Sequence, residues 1–136
     1  MKLEYNFKEM AEIFAAVSNV ENKFNILDEV SAKYDDLSNT FDAEFERLGY
    51  TFRGASQDVH DLFDAKCSAG TAVERADKAA FNAVKKFIKV AGVGENYIEC
   101  DERELIDWVN HKYYYSAARI ISDIKYIAKR AASFVK

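Results

Sequence analysis

MAEIFAAVSNVENKFNILDEVSAKYDDLSNTFDAEFERL, residues 10–48, sets apolar residues at seven-residue intervals along two interleaved rows. One row is Ile13, Val20, Leu27, Tyr34, Phe41 and Leu48. The other is Met10, Val17, Phe24 and Phe45, with Ser31 and Ser38 in the middle. Apolar rows that average 3.5 residues apart mark a helix offering a narrow seam to a partner helix. Asn6 with Glu9 three residues on has the spacing of a capping box, and Gly49 supplies the stop after Leu48. Ser38-Asn39-Thr40 is the weakest stretch, because short polar side chains compete for backbone hydrogen bonds. The seam on both sides still predicts one helix through it, with Ser31 and Ser38 facing small neighbours or water.

Outward from this stretch, Gly49 to Gly54 reads as a turn. Ala55 to Cys67 reads as a short helix with Val59, Leu62 and Phe63 inward. Ser68 to Thr71 reads as a joint, since Thr71 and Glu74 repeat the capping-box spacing. Ala72 to Val90 then places Val73, Ala76, Ala80, Val84 and Phe87 on one face. Two glycines between Ala91 and Asn96 end that run, and Tyr97 to Cys100 is a short β-prone connection. Asp101 caps a last helix running to about Phe134, with Leu105, Trp108, Ile120, Ile124, Ile127 and Phe134 as its stripe. The expectation is one all-α domain over 1–136: an elongated bundle of three long helices, the first coiled-coil-like and the middle one jointed near Gly70.

Composition agrees. The 136 residues hold no proline and five glycines, 49% are hydrophobic and 31% charged. That suits one core of ordinary size. No 18-residue apolar run exists to cross a membrane, and Glu4, Glu9 and Glu12 interrupt any signal-peptide stretch. Cys67 and Cys100 are too few for a disulfide scaffold and read as free thiols of a cytosolic protein. Charge is unevenly spread. Residues 1–64 carry six Lys and Arg against fourteen Asp and Glu, whereas residues 65–136 carry thirteen against nine. The two ends can neutralise each other, pair with a second copy, or offer distinct faces to partners.

Catalytic signals are thin. His60, Asp64 and Cys67 share one helical face, and Glu104, Asp107 and His111 share another. Such spacings are expected by coincidence in so charged a chain, so they read as surface partners. The Glu-x-x-His pattern of di-iron bundles, the nucleophile elbow and the phosphate-cradling glycine loop are all missing. The expectation is no enzyme, no cofactor and no metal site.

Surfaces for partners are easier to find. Asp35, Asp36, Asp42, Glu44 and Glu46 lie outside the seam of the first helix, where carboxylates can enter a groove built for phosphates. Tyr5, Tyr50, Phe52, Tyr97 and Tyr113 to Tyr115 are candidate exposed anchors, because interface energy concentrates in aromatic side chains. Lys85, Lys86, Lys89, Lys125, Lys129 and Arg130 form a basic set beside the tyrosines, a combination that grips single-stranded nucleic acid. The chain's overall acidity weighs against that use. The favoured reading is a small acidic inhibitor or adaptor, of the kind phages encode against host or defence enzymes. It would bind a protein, such as a nucleic-acid-processing complex, in the cytoplasm (the host's, for a phage-encoded chain). A homodimer is compatible with the seam, and no membrane is involved.

Phe52-Arg53-Gly54, followed by Ala55 and set between long helices, resembles the aromatic-x-glycine turn of the secreted Trp-x-Gly helical hairpins. The resemblance spans about the first two thirds of the chain. Phenylalanine stands where that family has tryptophan, and the last helix has no counterpart there. It implies, as an alternative, an exported hairpin effector working with a paired partner.

Overall fold

A computed structural model describes residues 1–96, 98–111 and 115–135. It contains four helices: α1 (Phe7–Arg47), α2 (Gln57–Ala91), α3 (Cys100–Asn110) and α4 (Ala117–Ala132). The protein is all-α. Among the described residues the extended pairing consists of one isolated bridge, Tyr5 to Val135, with the Tyr5 N–H donating to the Phe134 carbonyl at 3.1 Å. No described helix is long and apolar enough to cross a membrane. The chain divides into two compact units. A four-helix unit comprises Met1–Phe24 and Ala79–Lys136, and a hairpin unit comprises Asn25–Lys78.

α1 is continuous through Ser38-Asn39-Thr40, where the Thr40 hydroxyl donates to the Asp36 carbonyl at 2.9 Å inside the helix. Its start is the expected capping box. The Glu9 N–H donates to Asn6 Oδ1 at 2.8 Å, and the Asn6 N–H donates to Glu9 Oε1 at 3.3 Å. Its end is a Schellman closure. Gly49, at φ +75°, donates to the Glu46 carbonyl at 2.9 Å, and Tyr50 donates to the Phe45 carbonyl at 2.9 Å. Val93 and Gly92 close α2 in the same way onto Ile88 and Lys89. The heptad seam faces inward. Met10, Ile13, Val17, Val20, Phe24 and Phe41 are buried, and Leu27, Ser31, Tyr34, Ser38, Phe45 and Leu48 are half-buried.

Two expectations change. α2 has no joint, for Ser68 to Thr71 lie within one helix from Gln57 to Ala91. A glycine inside a helix costs only about 1 kcal/mol relative to alanine, less than the seam burial on either side supplies. A methyl group at Gly70 would meet the Tyr34 ring at 3.4 Å, an ordinary contact. Gly70→Ala is therefore expected to raise the unfolding free energy by roughly 0.5–1 kcal/mol. Chemical denaturation checks this, and an unchanged or lower midpoint would show that the Tyr34 ring cannot yield. In the second change, the predicted last helix is two helices. α3 ends at Asn110, and α4 begins afresh at Ser116, whose hydroxyl accepts from the Arg119 N–H at 3.2 Å. Asp101 sits in the first turn of α3 and Glu99 at the N-cap position.

The four-helix unit buries Ile13 and Val20 of α1, Val84 and Phe87 of α2, Leu105 of α3, and Ile120, Ile124 and Ile127 of α4. Each such side chain contributes about 1.5–3 kcal/mol of burial. Trp108 carries α3 against both long helices, its ring 6.2 Å from Phe24 and 5.7 Å from Phe81. Ahead of α1, Tyr5 is no exposed anchor: it is buried and donates its hydroxyl to the Ala91 carbonyl at 2.7 Å, and burial pushes its pKa up to about 12. The hairpin unit packs the later turns of α1 on the earlier turns of α2 along a single seam, with Val59, Ala69 and Ala76 buried on the α2 side.

Candidate functional site

At the turn of the hairpin unit, aromatic rings gather from both helices. Phe41 lies 5.3 Å from Phe45 and 5.3 Å from Phe63, and Phe52 lies 5.2 Å from Phe45 and 5.4 Å from Phe63. The Schellman closure throws Tyr50 outward at φ +61°, edge-on to Phe45 at 6.0 Å. Its side chain is 70% exposed. His60 stacks on Phe52 at 5.1 Å with 18° between planes and faces solvent. Phe63, expected inward with Val59 and Leu62, is 38% exposed because it caps the cluster from outside.

This aromatic end is set in negative charge. Between residues 35 and 64 there are eight carboxylates against Arg47 and Arg53, a net of −6, while the whole chain carries −4. Asp35, Asp36, Asp42 and Glu46 are exposed. Glu44 is half-buried and holds Arg47 at 2.9 Å. Lys66 reaches Asp42 at 3.4 Å while lying 5.0 Å over the Phe41 ring. Asp58, Asp61 and Asp64 add an exposed acidic row from α2 that the reading of the first helix did not include. The predicted acidic residues, Tyr50 and Phe52 therefore come together in one unit. Tyr50 and Phe52 supply apolar and aromatic contact, and the carboxylates supply attraction for cations.

The basic set lies in the four-helix unit and is largely engaged there. Lys125 pairs with Glu21 at 3.6 Å, Arg130 holds Glu99 through two contacts of 2.6 Å, and Lys85 lies 5.5 Å over Phe81. Lys86 lines a cleft with Glu12, and Lys89 and Lys129 are exposed. Tyr97, Tyr113 and Tyr114 lie outside the described residues. Tyr115 is half-buried, and its surroundings push its pKa up.

A second charged cluster lies between α3 and α4, where Glu104, read from the sequence as a surface residue on one face with Asp107 and His111, is instead buried. Arg119 grips Glu104 with two hydrogen bonds of 2.8 and 2.6 Å and approaches Asp123 at 3.8 Å. Glu104 and Asp123 are both buried. Hydrogen bonds from Arg119 and Asp123 hold Glu104 down to about 2, while burial and the neighbouring Glu104 push Asp123 up to about 7. The pair thus shares one proton over most of the acid range, with Asp123 Oδ2 buried and unpartnered. In one continuous helix, residues 104 and 119 would stand about 22 Å apart. The break before Ser116 is what lets them meet. Among the described residues, no three His, Cys, Asp or Glu side chains converge in a way that could hold a metal.

No protein-family model, curated protein or solved structure matches this chain.

Proposed function

We propose that the protein works by binding another protein, with the acidic, aromatic end of the hairpin unit as its docking face and a basic surface as its target. The observation that carries this reading is the exposed Tyr50 standing on a packed aromatic cluster within a segment of net charge −6. A rigidly based aromatic supplies binding energy at low entropic cost, and surrounding like charge steers the encounter and selects the partner. Occupying a basic groove in this way makes the chain a small acidic inhibitor or adaptor. Its role is competitive or scaffolding, without catalysis of its own.

The test compares three tagged chains in a pull-down from native lysate, with and without nuclease. They are the wild type, Tyr50→Ser, and a chain with Asp35, Asp36, Asp42 and Glu46 amidated. A stoichiometric partner that resists nuclease, elutes with salt and is lost from both variants is the expected result. With the partner in hand, Tyr50→Ser should weaken binding by about 2 kcal/mol, roughly thirtyfold. Undiminished capture by both variants would remove the hairpin end from consideration. Capture that vanishes with nuclease would instead favour nucleic-acid binding through Lys85, Lys86, Lys89 and Lys129.

A further inference from the structure

A two-helix unit can bury one seam only, and the hairpin unit leaves a second apolar face open beside it. A groove of about 350 Å3 runs between Val30, Lys33 and Leu37 of α1 and Ala65, Ala69 and Ala72 of α2. Ile26, 38% exposed, extends the α1 wall by one turn. Ile26, Val30, Lys33 and Leu37 fall at intervals of four, three and four, so they form a row on one helical face, distinct from the heptad seam.

We infer that this groove is an interface with a second copy of the chain, the two hairpins packing face to face, antiparallel, about a two-fold axis. The first argument is charge. An axis midway between Lys33 and Asp36, level with the groove, sets Lys33 against Asp36 of the other copy, twice by symmetry. On α2, an axis near Ser68 sets Asp61 against Arg75, again twice. All four side chains are exposed. The second argument is that these two midpoints agree. Tyr34 lies against Gly70, so the midpoint of Lys33 and Asp36 is level with α2 within about two residues, or ~3 Å, of the midpoint of Asp61 and Arg75. One axis therefore serves both helices. Small residues at 65, 68, 69 and 72 let the α2 backbones approach closely at that axis.

Orientation follows from the acidic ends. The other face-to-face arrangement places both turns at the same end, where residues 42–64 carry six carboxylates against Arg47 and Arg53, net −4 against net −4, whereas the antiparallel one sends them apart. The face spans about four turns on each of two helices, roughly 20 Å by 20 Å. That flat footprint of ~400 Å2 is about half the ~800 Å2 per partner of a standard interface, which suits a weak, concentration-dependent dimer.

The proposal shares Asp36 and Asp61 with the acidic face above, so it is tested by self-association and not by partner capture, on the full chain, by sedimentation velocity over a concentration series. The wild type is expected to dimerise. Lys33→Glu and Asp36→Lys should each weaken self-association roughly tenfold or more. An equimolar mixture of the two variants should restore it, because every cross-copy pair is then of opposite sign. Tyr50→Ser should leave the dimer intact. A wild type that stays monomeric at high micromolar concentration overturns the proposal, as does a dimer that neither variant weakens. Variants that weaken it but fail to recover on mixing would overturn the register.

Discussion

Truncating Trp108 to alanine is expected to lower the unfolding free energy by about 4 kcal/mol, because a large ring is removed from between two long helices and the cavity cannot collapse. Trp108 is 5% exposed and touches Phe24 of α1 and Phe81 of α2. α3 is a helix of 11 residues, too short to persist on its own propensity. Its docking therefore rests on Trp108, Leu105 and the pairing of Glu104 with Arg119. Loss of the ring should also loosen α3, seen as faster amide exchange over 100–110 than over α4. Trp108→Phe, which keeps an aromatic contact, should lose less than half as much. A midpoint in denaturant unchanged by Trp108→Ala would show that α3 is held by its charged contacts instead.

The second large effect is a dependence on pH. Asp123 has a folded-state pKa of about 7, above its ordinary value near 3.8. The native state therefore holds a proton that the unfolded chain has released. Its contribution is fully present below about pH 4 and is lost as pH rises toward 7. Glu104 behaves oppositely, its folded value of about 2 lying below the ordinary 4.5. Its contribution is present above about pH 4.5 and is lost as pH falls toward 2. The pair as a whole favours folding most near pH 4 to 5. Asp123→Asn should remove the decline between pH 4 and 7 and stabilise the protein by on the order of 2 kcal/mol at pH 8, allowing for the coupling of the two carboxyls. Arg119→Met should lower stability most at alkaline pH, where both carboxylates ionise without their cation. Thermal melts across pH 3–8 for the three chains decide the matter. A flat wild-type profile would mean that Glu104 and Asp123 do not share a proton.

What the sequence made legible was local. The heptad rows, the Asn6–Glu9 box and the Gly49 stop each operate within a few residues, and all three appear in α1 as read. Gly70 misled because helix propensity is a weak preference that packing overrides. Ser116 misled in the other direction. It is an N-cap hidden behind three tyrosines, while apolar residues before and after it keep a helical rhythm. Missing that break also hid the Glu104–Arg119–Asp123 cluster, since residues fifteen apart meet only when the chain turns back. The acidic end proposed as a docking face was half visible. The α1 carboxylates were read directly, but Asp58, Asp61 and Asp64 join them only because the hairpin returns.

The four-helix unit is built from two distant stretches of chain, residues 1–24 and 79–136, with the whole hairpin unit between them. Closing a long flexible loop before any contact rewards it is entropically unfavourable and slow. The hairpin's own contacts are local in sequence, so it can form first and shorten the loop that separates Phe24 from Ala79. Phe41, buried among Phe45, Phe52 and Phe63, anchors the turn end of that local structure. On the proposed function, the segment that carries Tyr50 toward a partner also closes the loop for a core made of residues that do not belong to the docking face.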